Sequence, residues 1–455
     1  MPTTLDCELF RDVFGSARMR DLFDTRAMVQ AWLNVEAALA AAQADVGVIP
    51  MPAAQRIARE ADARYYDLAD LKDGIERSHH PLVPLVRALS ERCGELGAYV
   101  HWGATTQDIM DSGMVLQIRD ALPYLVDCAA GAREECLRLA HAFAESPMPA
   151  RTHGQHAVPM TFGLKAAGWA DELGRVCDRL LGAREAISVA QLGGGGGTLA
   201  SLGDDADAVL DAFCQRLELR RPDVAWFAAR DRVRDVAHAL AELGAAAERI
   251  AAEVIRLQGT EVGELAEGTD EEHVGSSTMP QKRNPMRSEY LIASARLLRG
   301  SVEVLFSATA HAGERDMGLW AVEWLAVPQA FILAGGVAEK LVEIMTDLEV
   351  DPSRMRANLE LTNGAILAEA AMMALAGELG REEAHSVVTA ASRSADAAGR
   401  PLLDVLAEDP RAGPLIDAAL LERLRDPEAY LGRSIAAARA QLPGSRNPSR
   451  DGGPT

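Results

Sequence analysis

Residues 275–285 read Gly-Ser-Ser-Thr-Met-Pro-Gln-Lys-Arg-Asn-Pro, which gathers a possible base, an anion binder and an amide into one loop. Ser276 and Ser277 follow a glycine, so their hydroxyls and backbone N–H groups can face a bound anion. Lys282 and Asn284 add donors, and Pro280 and Pro285 stiffen the turn. Such a set suits the binding of an anion such as a carboxylate. A second polar cluster, His101-Trp-Gly-Ala-Thr-Thr-Gln-Asp, precedes an apolar helical run. Thr105 or Asp108 can cap that helix, and a helix start with the Thr105 and Thr106 hydroxyls can equally hold a carboxylate. A third cluster, Arg151-Thr-His-Gly-Gln-His, sets His153 and His156 three residues apart, a pattern suited to proton transfer near neutral pH. No third ligand lies nearby in the chain, so no metal is expected.

Helices must position these clusters. Aromatic residues make up only 5% of the chain, alanine and leucine abound, and alternating runs of valine, isoleucine and threonine are scarce. Between residues 21 and 45 the apolar Met28, Trp32, Val35 and Leu39 mark one helical face, which Gly47 and Pro50 end. Stretches 122–145, 161–191, 233–257 and 287–310 are long, alanine-rich and nearly free of proline. At about 1.5 Å per residue they span roughly 35 Å, which implies a long bundle. Faces such as Ala237, Ala241 and Ala245 bury little area per residue, so one bundle alone is incomplete and oligomerisation would finish it.

Breaks near 101–106 and 351–353 divide the chain into three all-α parts. These are an N-terminal helical domain at 1–105, a central long-helix bundle at 106–352 and a C-terminal helical domain at 353–441. Residues 442–455, rich in Pro, Gly, Ser and Arg, read as a disordered tail. The five glycines at 193–197 invite a phosphate-loop reading, but no Gly-Lys-Ser/Thr follows and no strand precedes. A tight connection with close backbones is the expectation.

The 455 residues are 48% hydrophobic, enough for a large core, and the formal net charge is −21. That charge argues against nucleic acid or an acidic membrane as partner, so an anionic substrate must be drawn in by a local cluster such as Lys282 and Arg283. Six cysteines show no CxxC pair and are expected to be reduced. No signal peptide and no run of about 18 uninterrupted apolar residues is evident, which makes cytoplasm the expected location.

The three clusters resemble, in order and separation, the motif regions of the fumarase/aspartase superfamily, over about residues 10 to 440. The resemblance implies an all-α fold in which long central helices of four subunits form one core. It further implies a homotetramer with composite sites, a small dicarboxylate substrate and no cofactor. Carried over, Ser276 would be the base at the substrate's Cβ, and Lys282 and Asn284 would bind the adjacent carboxylate. Thr105, Thr106, Gln155 and Ser277 would surround the carboxylates, with His101 also binding. His153 would be the general acid, supported by His80 and Glu289. The polar segment 267–275 would close over the site as a lid.

Two strings, Phe14-Gly-Ser-Ala-Arg-Met-Arg and Glu314-Arg-Asp-Met-Gly-Leu-Trp-Ala-Val-Glu-Trp, are similar to those of 3-carboxy-cis,cis-muconate cycloisomerases. His80, His153 and Glu289 instead match adenylosuccinate-lyase-like enzymes. Yet Leu319, Trp320 and Trp324 form an apolar wall that cannot desolvate a phosphate, and Ala229 stands where relatives often carry a glutamine. The resulting expectation is a lyase that eliminates the substituent of an amino- or nitro-succinate to release fumarate, probed against the alternative of a cycloisomerase.

Overall fold

The computed structural model describes residues 7–268, 279 and 281–440. The fold is all-α, with 73% helix and only 5% strand. The spacing of Met28, Trp32, Val35 and Leu39 does form a helix, Thr25–Val46, with the last three buried. It starts later than the periodicity alone suggests. The Asp24 carboxylate accepts the Ala27 N–H at 2.6 Å and caps the helix, separating it from a shorter one at Ala17–Phe23. Gly47, at φ 89°, ends it in the left-handed conformation that favours glycine.

The four expected long helices are Thr106–Ala142, Phe162–Ile187, Asp231–Gln258 and Met286–Ser307. The first begins well before residue 122 and runs through Pro123. A further long helix, Met317–Asp347, escaped the periodicity because it contains Pro328 and the pair Gly335-Gly336. That pair is a contact device: a Cβ at Gly335 would lie 2.5 Å from the Ser16 Cβ. By length and composition this helix could cross a membrane, but 61% of its apolar window is buried inside the molecule.

Contacts divide the chain into two compact units, one of residues 1–129, 175–248 and 290–340, the other of 130–174, 249–289 and 341–455. Each of the five long helices has residues in both. In the first unit, Trp32, Leu33 and Leu39 pack in a core with Trp320 and Phe331 among its largest buried side chains. The second unit has a core of its own around Leu375, Val387, Leu402 and Leu406. The expected disordered tail lies outside the described residues.

The second unit also holds a two-stranded antiparallel hairpin, Pro147–Thr152 against Gln155–Thr161. Composition gave no hint of it, since three prolines interrupt any alternating pattern. The local signal was His153-Gly154. Both residues have positive φ, 52° and 76°, as a two-residue turn matching the strand twist requires. The long helix at Phe162–Ile187 follows directly, as expected.

Candidate active site

In the first unit the start of the Thr106 helix is tied down by Asp108. Its carboxylate accepts the Thr105 N–H at 2.9 Å, and also those of Gly193 at 2.7 Å and Gly194 at 2.9 Å. The glycine run therefore does cradle an anion, but the anion is the chain's own. Burial pushes the Asp108 carboxyl up to about 7, against the three N–H donors that pull it down. Close packing explains Gly193, since a Cβ there would meet the Ala225 Cβ at 2.7 Å. Thr105 is thus a capping position by its backbone, as one of the two sequence readings has it.

Thr106 meets His80, whose Nε2 lies 3.3 Å from its Oγ1. The other ring nitrogen, Nδ1, accepts the N–H groups of Val83 at 3.2 Å and Leu82 at 3.4 Å at the start of the Val83–Cys93 helix. With Nδ1 accepting, the ring proton sits on Nε2 and is donated to Thr106. His101 Nδ1 lies 2.6 Å from Glu36 Oε1.

Beneath these residues lies a buried polar network. Gln107 donates to Asp111 Oδ2 at 3.1 Å and to the Phe227 carbonyl at 3.0 Å, while its Oε1 accepts from Arg315 Nε at 3.0 Å. Asp111 and Glu323 both chelate Arg230, and the Trp320 indole N–H donates to Asp111 at 2.9 Å. Burial by itself would favour loss of the Arg230 proton, but the two carboxylates hold its pKa above the ordinary value. The aromatic string at 318–324 is therefore partly structural: Trp320 and Glu323 complete an ion triad. Arg315, exposed beside Gln107 with its guanidinium 5.2 Å from the Phe227 ring centre, was not among the expected site residues. The signal was the Glu314-Arg-Asp string, read only for its likeness to one branch.

In the second unit, His153 sits exposed at the hairpin tip and Gln155 opens the returning strand. Arg151 has a different task. It forms a bidentate pair with buried Glu264, at 2.8 and 2.5 Å, and Asn358 also donates to Glu264 at 2.7 Å. These bonds hold the first strand and leave Arg151 unavailable to substrate.

Ser276 and Ser277 lie outside the described residues, as do residues 269–275 of the expected lid. Glu267 is described, and it caps the Met286–Ser307 helix by accepting the N–H groups of Arg287 at 3.2 Å and Ser288 at 2.7 Å. Glu289 is exposed in the first turn of that helix. Lys282 is exposed, and the Asn284 carbonyl accepts the Met286 N–H at 2.9 Å. Between them Arg283 is committed elsewhere, with two bonds to Glu349 at 2.9 and 2.7 Å and one to the Glu267 carbonyl. Of the cationic pair at 282–283, Arg283 is thus paired with Glu349, and Lys282 is exposed. Among the described residues no group of three or more His, Cys, Asp or Glu side chains could hold a metal ion.

A lyase family model matches residues 15–300, and a model of the adenylosuccinate lyase C-terminus matches residues 364–439. The chain belongs to the fumarase/aspartase lyase superfamily. Within this superfamily it is 40% identical to a 3-carboxy-cis,cis-muconate cycloisomerase of Pseudomonas aeruginosa, over 94% of each chain. A second cycloisomerase, from Bradyrhizobium diazoefficiens, is 38% identical over 94% of this chain and 96% of its own. The crystal structure of a 3-carboxy-cis,cis-muconate lactonizing enzyme from Pseudomonas putida superposes with a TM-score of 0.89 at 36% identity. That alignment covers 96% of this chain and 98% of the other.

These relatives overturn the expectation of a lyase that releases fumarate from an amino- or nitro-succinate. That expectation leaned on His80, His153 and Glu289 as one proton-handling set. The structure gives His80 a local task, because its Nδ1 closes the start of a helix and its Nε2 holds Thr106. His153 has one of the turn positions with positive φ.

Proposed function

We propose that this superfamily member is a 3-carboxy-cis,cis-muconate cycloisomerase. The observation that carries the reading is whole-chain similarity to such enzymes, at 40% identity over 94% of both chains in one case. The reaction is an isomerisation. One substrate carboxylate oxygen bonds to an alkene carbon, the π pair moves to the neighbouring carbon, and that carbon takes a proton. No atom is lost and the product is a lactone.

The carbon that receives the proton carries a carboxylate, so negative charge spreads into that group as the C–O bond forms. Fixed donors where the charge develops lower the barrier. Lys282, Asn284 and Ser277 are proposed for this role, with Ser276 carrying the proton. His101, Thr105, Thr106 and Gln155 are proposed to hold the remaining carboxylates. Arg315 joins them, because Gln107, the residue after Thr106, holds its Nε while the residue stays exposed. A substrate with three carboxylates makes good use of the added cation.

The direct test offers 3-carboxy-cis,cis-muconate to the purified protein and follows loss of the conjugated diene together with lactone formation. Absence of turnover, alongside fumarate release from a substituted succinate, would reject the proposal. Arg315→Ala should weaken kcat/KM roughly 10- to 150-fold, chiefly through KM, because a hydrogen bond to a charged group is worth about 1.5–3 kcal/mol. An unchanged KM would remove Arg315 from the site.

We further propose a cytoplasmic homotetramer whose active sites take their three regions from different subunits. The support is the family together with alanine-rich helices such as Asp231–Gln258. Light scattering should return four chains, and a fully active monomer would end this proposal.

A further inference from the structure

Glu36 is an unusual residue for its position. It lies inside the Thr25–Val46 helix, between the buried Val35 and Leu39, and is itself only 2% exposed. A buried carboxylate is costly unless it is paired. Its partner is not an arginine or lysine but the His101 ring, with Nδ1 at 2.6 Å. His101 adopts φ 59°, a conformation strained for a residue with a Cβ.

The loop that carries His101 is clamped directly after the ring. Gln43 donates to the Trp102 carbonyl at 2.6 Å, Ser201 donates to the Gly103 carbonyl at 3.2 Å, and Asp108 accepts from Thr105. Strain and burial are thus tolerated to hold one imidazole in one orientation. The ring keeps 21% of its surface exposed, and among the described residues Nε2 has no hydrogen bond. Two titratable carboxyl groups face the ring, Glu36 from its helix and Asp108 from the Thr106 helix.

We propose that Glu36 is a positioning residue that holds the His101 ring with Nδ1–H toward its carboxylate and favours the charged form, in which Nε2–H is presented to a substrate carboxylate. The proposal rests on His101 as a carboxylate-binding residue in the function given above, but its first test does not. When the ring is neutral, Nδ1–H donates to Glu36 and Nε2 can only accept. When it is charged, both nitrogens donate, and only then does Nε2 attract a carboxylate. Burial alone would lower the His101 pKa, but Glu36 and Asp108 raise it above the ordinary value. A raised value keeps the cation to higher pH, so binding is present on the acid side and fades as pH climbs through the raised pKa.

The first test uses nitrogen and carbon NMR of histidine-labelled whole protein, with the His101 signal identified by its loss in His101→Gln. In the native protein the neutral ring should carry its proton on Nδ1, and the titration midpoint should lie above the ordinary histidine value. Glu36→Gln, which keeps the shape, should move the midpoint down, while Glu36→Asp should recover part of the shift. An Nε2–H tautomer in the native protein overturns the proposal without any variant having to fold. A midpoint unmoved in Glu36→Gln overturns it as well.

The second test measures 3-carboxy-cis,cis-muconate turnover against pH. Because Glu36 helps keep the ring charged to higher pH, Glu36→Gln should raise KM more at pH 8 than at pH 6, with kcat nearly constant. A midpoint that moves while KM stays flat at both pH values overturns the carboxylate-binding half of the proposal. If the native protein does not turn this substrate over, the functional reading fails, and the NMR result still decides the pairing of Glu36 with His101.

Discussion

Arg230→Met should destabilise the protein by about 3–5 kcal/mol, the cost of leaving buried carboxylates without their cation. Arg230 has no exposed side-chain surface, and Asp111 and Glu323 are almost as buried. The triad already carries one more negative than positive charge. That excess is met by neutral donors, the Trp320 indole at 2.9 Å and Gln107 at 3.1 Å, which cannot replace a guanidinium. The variant should also regain stability as pH falls. Without Arg230 the two carboxyls have folded-state pKa values above those of the unfolded chain, so the folded state binds more protons and acid favours it. Burial already pushes Glu323 in that direction in the native protein. Urea unfolding across pH would check both points, and a loss below about 1 kcal/mol, well under the cost of an uncompensated buried charge, would show that water or rearrangement serves the site instead.

Ser276→Ala should lower kcat on the order of a thousandfold, which is roughly 4 kcal/mol of transition-state stabilisation. The role comes from the family resemblance, in which this serine exchanges the proton on the carbon beside a carboxylate. His153→Gln should be much milder, less than about tenfold, because the oxygen that closes the ring is a carboxylate and needs no general acid. The contrast is diagnostic. Rate measurements showing equal and large losses for both variants would mean that a basic group departs or arrives, and would speak against ring closure. A Ser276→Ala enzyme with native turnover would remove the serine from the chemistry.

The sequence by itself was sufficient for the superfamily, the all-α class and four of the long helices, because those depend on local composition and on strings of adjacent residues. The end of the Thr25–Val46 helix at Gly47 was equally local, a matter of one residue tolerating positive φ. The branch was not decided by local strings. Three residues weighed as a catalytic set against the strings, and similarity over the whole chain to cycloisomerases overturned the lyase reading drawn from them. Partner identity over long separations was also invisible: Arg283 finds Glu349 and Asp108 finds Gly193, while Arg230 is shared by Asp111 and Glu323. A charge reads the same in a sequence whether it faces water, a substrate or a carboxylate many residues away. Tertiary structure decides which, since burial makes an unpaired charge too costly to keep and so fixes its partner.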